Sequence, residues 1–301
     1  EVNFNSTYTG NTRFAANQMS TAGGVHNLQL AIQSNFGPKH AVVTTNDFSD
    51  ESLERAVRQS EAIARLAPDD PENMPRMTKQ AYTPVSAWFD STATLTPDAR
   101  AQVAKQALDV TRGAGDLQAA GFLVVNGNVQ GLGNSHGLFA YHRSTGSNYT
   151  ITVRTADGTG SGWAGADHPD WTQLDFDAVA QRAIEKARLS RNPVAVEPGR
   201  YTVILEPQAT ADLVQLLAFA LSARNADEGR SAFAKAGGGN KIGEQIVNRA
   251  VTLYSDPADP QLLGNPFDGE GMPTRRQVWI ENGVLKNLVY SRFWARKQGK
   301  E

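Results

Sequence analysis

Cysteine is absent from the 301 residues. No disulfide framework, thiol nucleophile or cysteine-based zinc site can be built from this sequence, and the composition suits a reducing compartment such as the cytoplasm. No apolar run approaches the ~18 residues that a membrane-spanning helix needs, and no signal peptide stands at the start. The sequence opens on Glu1 rather than a methionine, so a true N-terminus further upstream is expected. An excess of either charge is also missing: 29 Lys and Arg stand against 31 Asp and Glu, a formal net charge of −2. That balance argues against direct nucleic-acid binding, which calls for a basic surplus. Histidine is scarce, with His26, His40, His136, His142 and His168 the only five. None of them lies at the i, i+4 spacing that sets two imidazoles on one helix face, and none follows His168.

What is present reads as an α+β protein. Residues 1–81 form a first α+β segment of short strands, with turns at Gly10-Asn11 and Gly23-Gly24. Val25 to Ile32 and His40 to Thr45 are further strands. A helix follows, capped by Ser49, with Asp50 and Glu51 at its positive end. A proline-rich connector from Pro68 to Pro75 closes the segment. Residues 82–195 form a second α+β segment. Thr96 caps a helix with Pro97 at its first position, and that helix buries Ala99, Val103, Ala107 and Val110. An antiparallel meander follows through Phe122–Val125, Leu138–Tyr141 and Tyr149–Val153. Asp175 then caps a helix that turns Phe176, Val179, Ala183, Ile184 and Ala187 to the core. The first two segments are expected to hold mixed sheet with helices; residues 196–301 are expected to form a β-rich third domain. That domain opens with a strand at Tyr201–Leu205. Thr210 caps a helix whose apolar residues run nearly all round it, the pattern of burial on most sides. Ile242 to Tyr254 starts with a helical turn and ends as a strand. Gln277–Ile280 and Val284–Val289 flank an Asn282-Gly283 hairpin turn.

Several short motifs invite chemistry. Gly133-Asn134-Ser135-His136-Gly137 has the G-x-S-x-G form of a nucleophile elbow, but strand-like residues follow it where an elbow needs a helix; a hairpin turn is the better reading. Gly160-Ser161-Gly162-Trp163-Ala164-Gly165 has the G-x-G-x-x-G form, but no helix opens behind it to hold a pyrophosphate. His136 and His142, six residues apart on hairpin strands, would share a face and could share a metal. Asp268 and Glu270 place two carboxylates two residues apart, either as a general acid–base pair or as parts of a Gly- and Pro-rich turn.

The third segment resembles the TldD/PmbA family of peptidase-related proteins, also called modulators of DNA gyrase. The resemblance is carried by Pro198 to Pro207, by Ser231-Ala232-Phe233 with Ile242-Gly243-Glu244, and by Ser255-Asp256-Pro257. It continues through Asn265-Pro266-Phe267-Asp268-Gly269-Glu270-Gly271-Met272-Pro273-Thr274, Glu281-Asn282-Gly283 and Ser291 to Lys297. Upstream, Thr12 to Ala15 and the connector around Asp70 to Pro75 also fit.

This resemblance implies a specific expectation about zinc. Zinc-bearing members carry H-E-x-x-x-H on the helix after the first strand of this domain, where the two His and a Cys bind the metal and the Glu is the base. Here Gln215, Leu216 and Ala220 stand at the first His, the Glu and the second His. Leu and Ala offer neither a metal ligand nor a proton. The resemblance therefore implies the zinc-less, TldE/PmbA-like branch. Such a chain has no metal of its own and serves as the non-catalytic subunit of a cytoplasmic complex that cleaves small or unfolded peptides. Its partner would be a zinc-bearing TldD-like subunit, or a second copy in a dimer. An extended peptide would be bound by strand addition, with Asp268 and Glu270 the candidate substrate-binding residues. Two alternatives remain: an enzyme in its own right through Asp268, Glu270 and His136, or a non-enzymatic binding or regulatory protein. The resemblance further implies a chain clipped at both ends, with the third domain left open and its strand edges and apolar surface exposed.

Overall fold

Long alternating strands dominate the first half of the protein. A computed structural model describes residues 1–300. Strand β1 (Val2–Ala15) turns back through Ala16 and Asn17, both at positive φ (49° and 59°), into β2 (Gln18–Phe36). Strands β3 (Lys39–Thr45), β4 (Leu117–Gly133), β5 (Phe139–Thr155) and β6 (Ser161–His168) complete a six-stranded sheet in the order β3-β2-β1-β4-β5-β6. Every ladder in it is antiparallel. Because β1 lies between β2 and β4, strands from both sides of residue 81 share this one sheet.

The glycine pairs expected as turns lie inside the ladder instead. Gly10 faces Gly24 and Asn11 faces Gly23 across β1 and β2. The reason is space. A Cβ on Gly10 would sit 2.6 Å from the Arg100 guanidinium, and one on Gly24 would sit 3.3 Å from the Tyr8 hydroxyl. These glycines make room for a buried arginine and a tyrosine; they do not reverse the chain. The expected meander also has fewer strands than its apolar blocks, since Leu138–Tyr141 and Tyr149–Val153 belong to the β5 region of one continuous strand.

The helices form where local capping dictates. Ser49 accepts from Ser52 N–H to start α1 (Asp50–Leu66). After the short α2 (Asp90–Ala93), Thr96 accepts from Ala99 N–H to start α3 (Pro97–Gly113). Asp175 accepts from Ala178 N–H to start α4 (Phe176–Leu189). Helix α1 packs on β2 and β3, α3 on β1, β2 and β4, and α4 on β5 and β6. All three cover one face of the sheet. Phe14, Leu123, Tyr149 and Ile151 from the strands meet Val103, Ala107, Val179, Ala183 and Ile184 from the helices in the main core.

The third segment is built differently. It contains α5 (Pro207–Ala220), α6 (Ala223–Asp227), a small sheet of β7 (Leu253–Ser255), β8 (Gln277–Glu281) and β9 (Val284–Leu285), and α7 (Arg292–Lys297). The Asn282-Gly283 turn between β8 and β9 has both residues at positive φ (48° and 78°), as an Asn-Gly hairpin requires. Two expectations fail here. Tyr201–Leu205 has no regular structure and joins no ladder, and Ile204 is 96% exposed. Helix α5 starts at Pro207, with Glu206 rather than Thr210 in the cap position, and it buries none of its residues. Only its Leu217 and Ala220 edge packs against the second core of Leu221, Phe233, Ile280, Leu285 and Trp294. Leu216 and Phe219 point outward, 67% and 81% exposed. Between residues 242 and 252 the chain runs in turns, and the expected strand is reduced to β7.

The Pro68–Pro75 connector is irregular, as its prolines dictate, but it is tied down. Asn73 donates to Gly37 O, Arg76 bonds Asn35 and Glu1, Arg224 grips Glu72, and Arg292 donates to Pro75 O. No helix among the described residues is long and apolar enough to cross a membrane.

Candidate functional site

Antiparallel partners point to the same side of a sheet. The residues of β1 that alternate with the helix-facing Gly10, Thr12 and Phe14 are Asn3, Asn5, Thr7, Thr9 and Asn11. In register with them on β4 are Gln130, Asn128 and Asn126, and on β2 Gln29 and Asn27. No helix covers this face. It is a surface of amides and hydroxyls, and the third segment closes one end of it.

That closure rests on Phe267. Its ring is buried among Leu132, Leu138 and Ala140 of the hairpin, with Met77 and Tyr82 packed beside them. The loop that carries Phe267 folds on itself. Asp268 N–H donates to Met272 O, Thr274 N–H donates to Pro266 O, and Gly271 sits at a φ of 83°. The Asp268 carboxylate accepts from the N–H groups of Glu270 and Met272, at 2.9 Å each. Tyr82 donates its hydroxyl to Gly271 O at 2.8 Å. Burial, helped by the nearby negative charge of Asp268, pushes the Tyr82 phenol up from its ordinary range.

Asp268 and Glu270 do not converge on one space. Asp268 lines a cavity of about 160 Å³ with Asn3, Asn5, Gln130 and Asn265. Glu270 lines another, of about 350 Å³, beside Arg76, His40 and Arg292, where its carboxylate pairs with Arg292 at 3.5 Å. The first carboxylate organises a turn and the second neutralises an arginine. His136 is exposed at the tip of the Asn134–Gly137 turn, its N–H held by the Asn134 side chain. His142 is buried in β5 and its Nε2 has no partner. The two histidines, expected together on hairpin strands, are separated because the first lies in the turn. Burial alone lowers the His142 pKa below the usual imidazole value.

The G-x-G-x-x-G stretch has a packing role. Gly160 and Gly162 lie against α4, where a Cβ would come within 2.1 Å of Ala187 O and Ala183 O respectively. The glycines let strand and helix touch, and no phosphate-binding helix N-terminus follows them.

Gln215, Leu216 and Ala220 lie on α5, with Gln215 and Leu216 exposed. An amide, an isobutyl group and a methyl group do not fit zinc. Among the described residues no three His, Asp or Glu side chains gather where a metal ion could be held.

The amide face is not evident from the linear sequence. Its signal was the alternation Asn3, Asn5, Thr7, Thr9, Asn11, but only the strand register shows that Gln130 and Gln29 join it.

Residues 90–191 match the PmbA/TldA metallopeptidase central domain, and residues 198–301 match the PmbA/TldA metallopeptidase C-terminal domain. The chain is 36% identical over 129 residues to an uncharacterized protein of Methanocaldococcus jannaschii, covering 42% of this chain and 30% of that one. It is 23% identical over 287 residues to a metalloprotease PmbA homolog of Haemophilus influenzae, covering 90% of this chain and 60% of that one. The crystal structure of TldE from Thermococcus kodakarensis superposes with a TM-score of 0.84 at 20% identity, covering all of this chain and 68% of that one. The matches thus span less than two thirds of the length of these two relatives. The two matched domains, in their order along the sequence, place the chain in the TldD/PmbA family of metallopeptidase-related proteins.

Proposed function

We propose that this chain is the non-catalytic subunit of a TldD/PmbA-type peptidase complex that acts on small or unfolded peptides. The observation that carries this reading is the helix α5, where the family resemblance sets Gln215, Leu216 and Ala220 at the first histidine, the glutamate and the second histidine of zinc-bearing members. None of the three can ligate zinc or move a proton. The catalytic zinc would belong to a TldD-like partner, and this chain would contribute binding surface for an extended peptide and a face for dimerisation. The resemblance to a structure named TldE supports the same reading at the level of fold. A cytoplasmic location is in keeping with the cysteine-free sequence.

The test is zinc content and peptidase activity of the purified chain, alone and mixed with a zinc-bearing TldD-like protein from the same organism. Expected are far less than one zinc per chain, no hydrolysis of an unstructured reporter peptide alone, and hydrolysis by the mixture above that of the partner alone. Stoichiometric zinc with activity in the isolated chain would overturn the reading.

A further inference from the structure

Two cavities open on the helix-free face of the six-stranded sheet and share Asn5. One, of about 590 Å³, runs from Asn5 and Thr7 on β1, across Asn27 and Gln29 on β2, to Thr44 and Asn46 at the β3 edge. The other runs from Asn5 across Gln130 on β4 to the Asn265–Gly269 loop. Together they form a trough across the strands. From β3 to β4 it crosses three strand spacings, roughly 14 Å, which is the reach of about four extended residues.

The trough is lined mainly by amides and hydroxyls, with Leu28, Leu132 and Phe267 as its large apolar residues. No residue lining the first cavity is charged, although 20% of the chain is. In the second the only charge is Asp268, a carboxylate whose Oδ1 accepts from two main-chain N–H groups. Each Asn or Gln side chain offers two donors and one acceptor that takes two bonds. Asn5 bonds Asn3, but the side chains of Asn27, Gln29, Asn46 and Gln130 bond nothing within the described residues. A row of free primary amides has the donor and acceptor pattern of a peptide backbone. It offers an acidic side chain no counter-ion, so seating one there would cost desolvation without an ion pair in return.

The geometry points to this trough as a binding site for an extended peptide segment with polar side chains that are not acidic, its main chain held by the Asn5, Gln29 and Gln130 amides. The inference rests on the peptide-binding role proposed above and deepens it by naming the seat and the selectivity. It differs from strand addition, because the peptide lies across the sheet and not along an edge.

The test uses the full chain and fluorescein-labelled hexapeptides, acetylated and amidated, read by fluorescence anisotropy. One alternates serine and glutamine; the others replace two glutamines by lysine or by glutamate. The neutral peptide should bind about tenfold more tightly than the glutamate one, and the lysine peptide no more weakly than the neutral one. The isosteric double change Asn5→Asp with Gln130→Glu, checked for folding by circular dichroism and thermal unfolding, should weaken the neutral peptide about tenfold and favour the lysine peptide. If the neutral peptide binds the wild type and the double variant equally, the seat lies elsewhere and only this inference falls. If no hexapeptide binds, this inference falls as well, while the proposed subunit role is judged separately by the zinc and mixing assay. Equal affinity for the neutral and glutamate peptides removes the selectivity and overturns the inference. If sedimentation shows that the double change splits a dimer without altering peptide affinity, a second copy occupies the face and the inference is likewise overturned.

Discussion

Arg224 and Glu72 form a two-pronged ion pair, Nη1 to Oε2 at 2.8 Å and Nη2 to Oε1 at 2.9 Å, between residues 152 apart in sequence. It joins α6 of the third segment to the proline-rich connector that leaves the first. Paired guanidinium–carboxylate bonds fix direction as well as distance, so this contact sets how the connector lies on the third segment. Both side chains remain partly exposed, and salt therefore screens the attraction. Glu72→Gln should lower the thermal midpoint in about 0.05 M NaCl, with the deficit shrinking in about 1 M NaCl. A deficit equal at both salts would mean that the contact acts through packing and not charge.

Glycine substitutions should divide by what lies behind each Cα. At Gly162 a methyl group would meet Ala183 O at 2.1 Å and Ala187 N at 2.5 Å, both main-chain atoms of α4 that cannot turn aside. Gly162→Ala should cost roughly 3 kcal/mol as β6 and α4 are forced apart. Gly113 ends α3 with nothing within 4 Å, so Gly113→Ala should stabilise by about 0.5 kcal/mol through the unfolded chain. Urea unfolding of the two variants measures both, and similar small effects would show that strand and helix are not in contact at Gly162.

These glycines also show what the sequence could and could not disclose. The helix starts at Ser49, Thr96 and Asp175 were legible because a cap is a local event, decided within three residues. The Asn282-Gly283 turn was legible for the same reason. Gly10 and Gly24 were misread as breaks because their purpose lies in the Arg100 and Tyr8 side chains packed against them, and Arg100 arrives from a helix 90 residues further on in the chain. Tyr201–Leu205 has the composition of a strand, but a strand exists only with a partner, and composition cannot supply one. The Asp268 turn was legible from its flanking glycines. The amide trough was not, because it is assembled from three strands and a loop whose register no single stretch encodes.

His142 should shape the acid limb of stability. Its folded-state pKa lies below the ordinary 6.5 because burial disfavours the imidazolium. As pH falls through about 6.5 the unfolded chain takes up a proton that the folded chain refuses, so stability is full above that pH and declines below it. The decline levels off only once folded His142 itself protonates. His142→Gln should reduce the loss of urea midpoint between about pH 7.5 and about pH 5.5, whatever its effect at the upper pH. An unchanged slope would assign the acid sensitivity to other groups.

The exposed side of α5 gives the last prediction. Leu213, Leu216 and Phe219 are more than half exposed, and the helix buries no residue. Side chains left largely exposed in the folded chain contribute little to its stability, because folding removes little of their surface from water. Contiguous exposed apolar groups do, however, promote association between molecules. Leu216→Gln with Phe219→Ser should therefore leave the urea midpoint within experimental error while lowering binding of a hydrophobic dye and raising the protein concentration at which aggregates appear in light scattering. A marked loss of midpoint would show that these two side chains are covered in the folded protein. Unchanged dye binding and aggregation would place the sticky surface elsewhere, with the irregular stretch containing Val203 and Ile204 next in line, since both are also exposed.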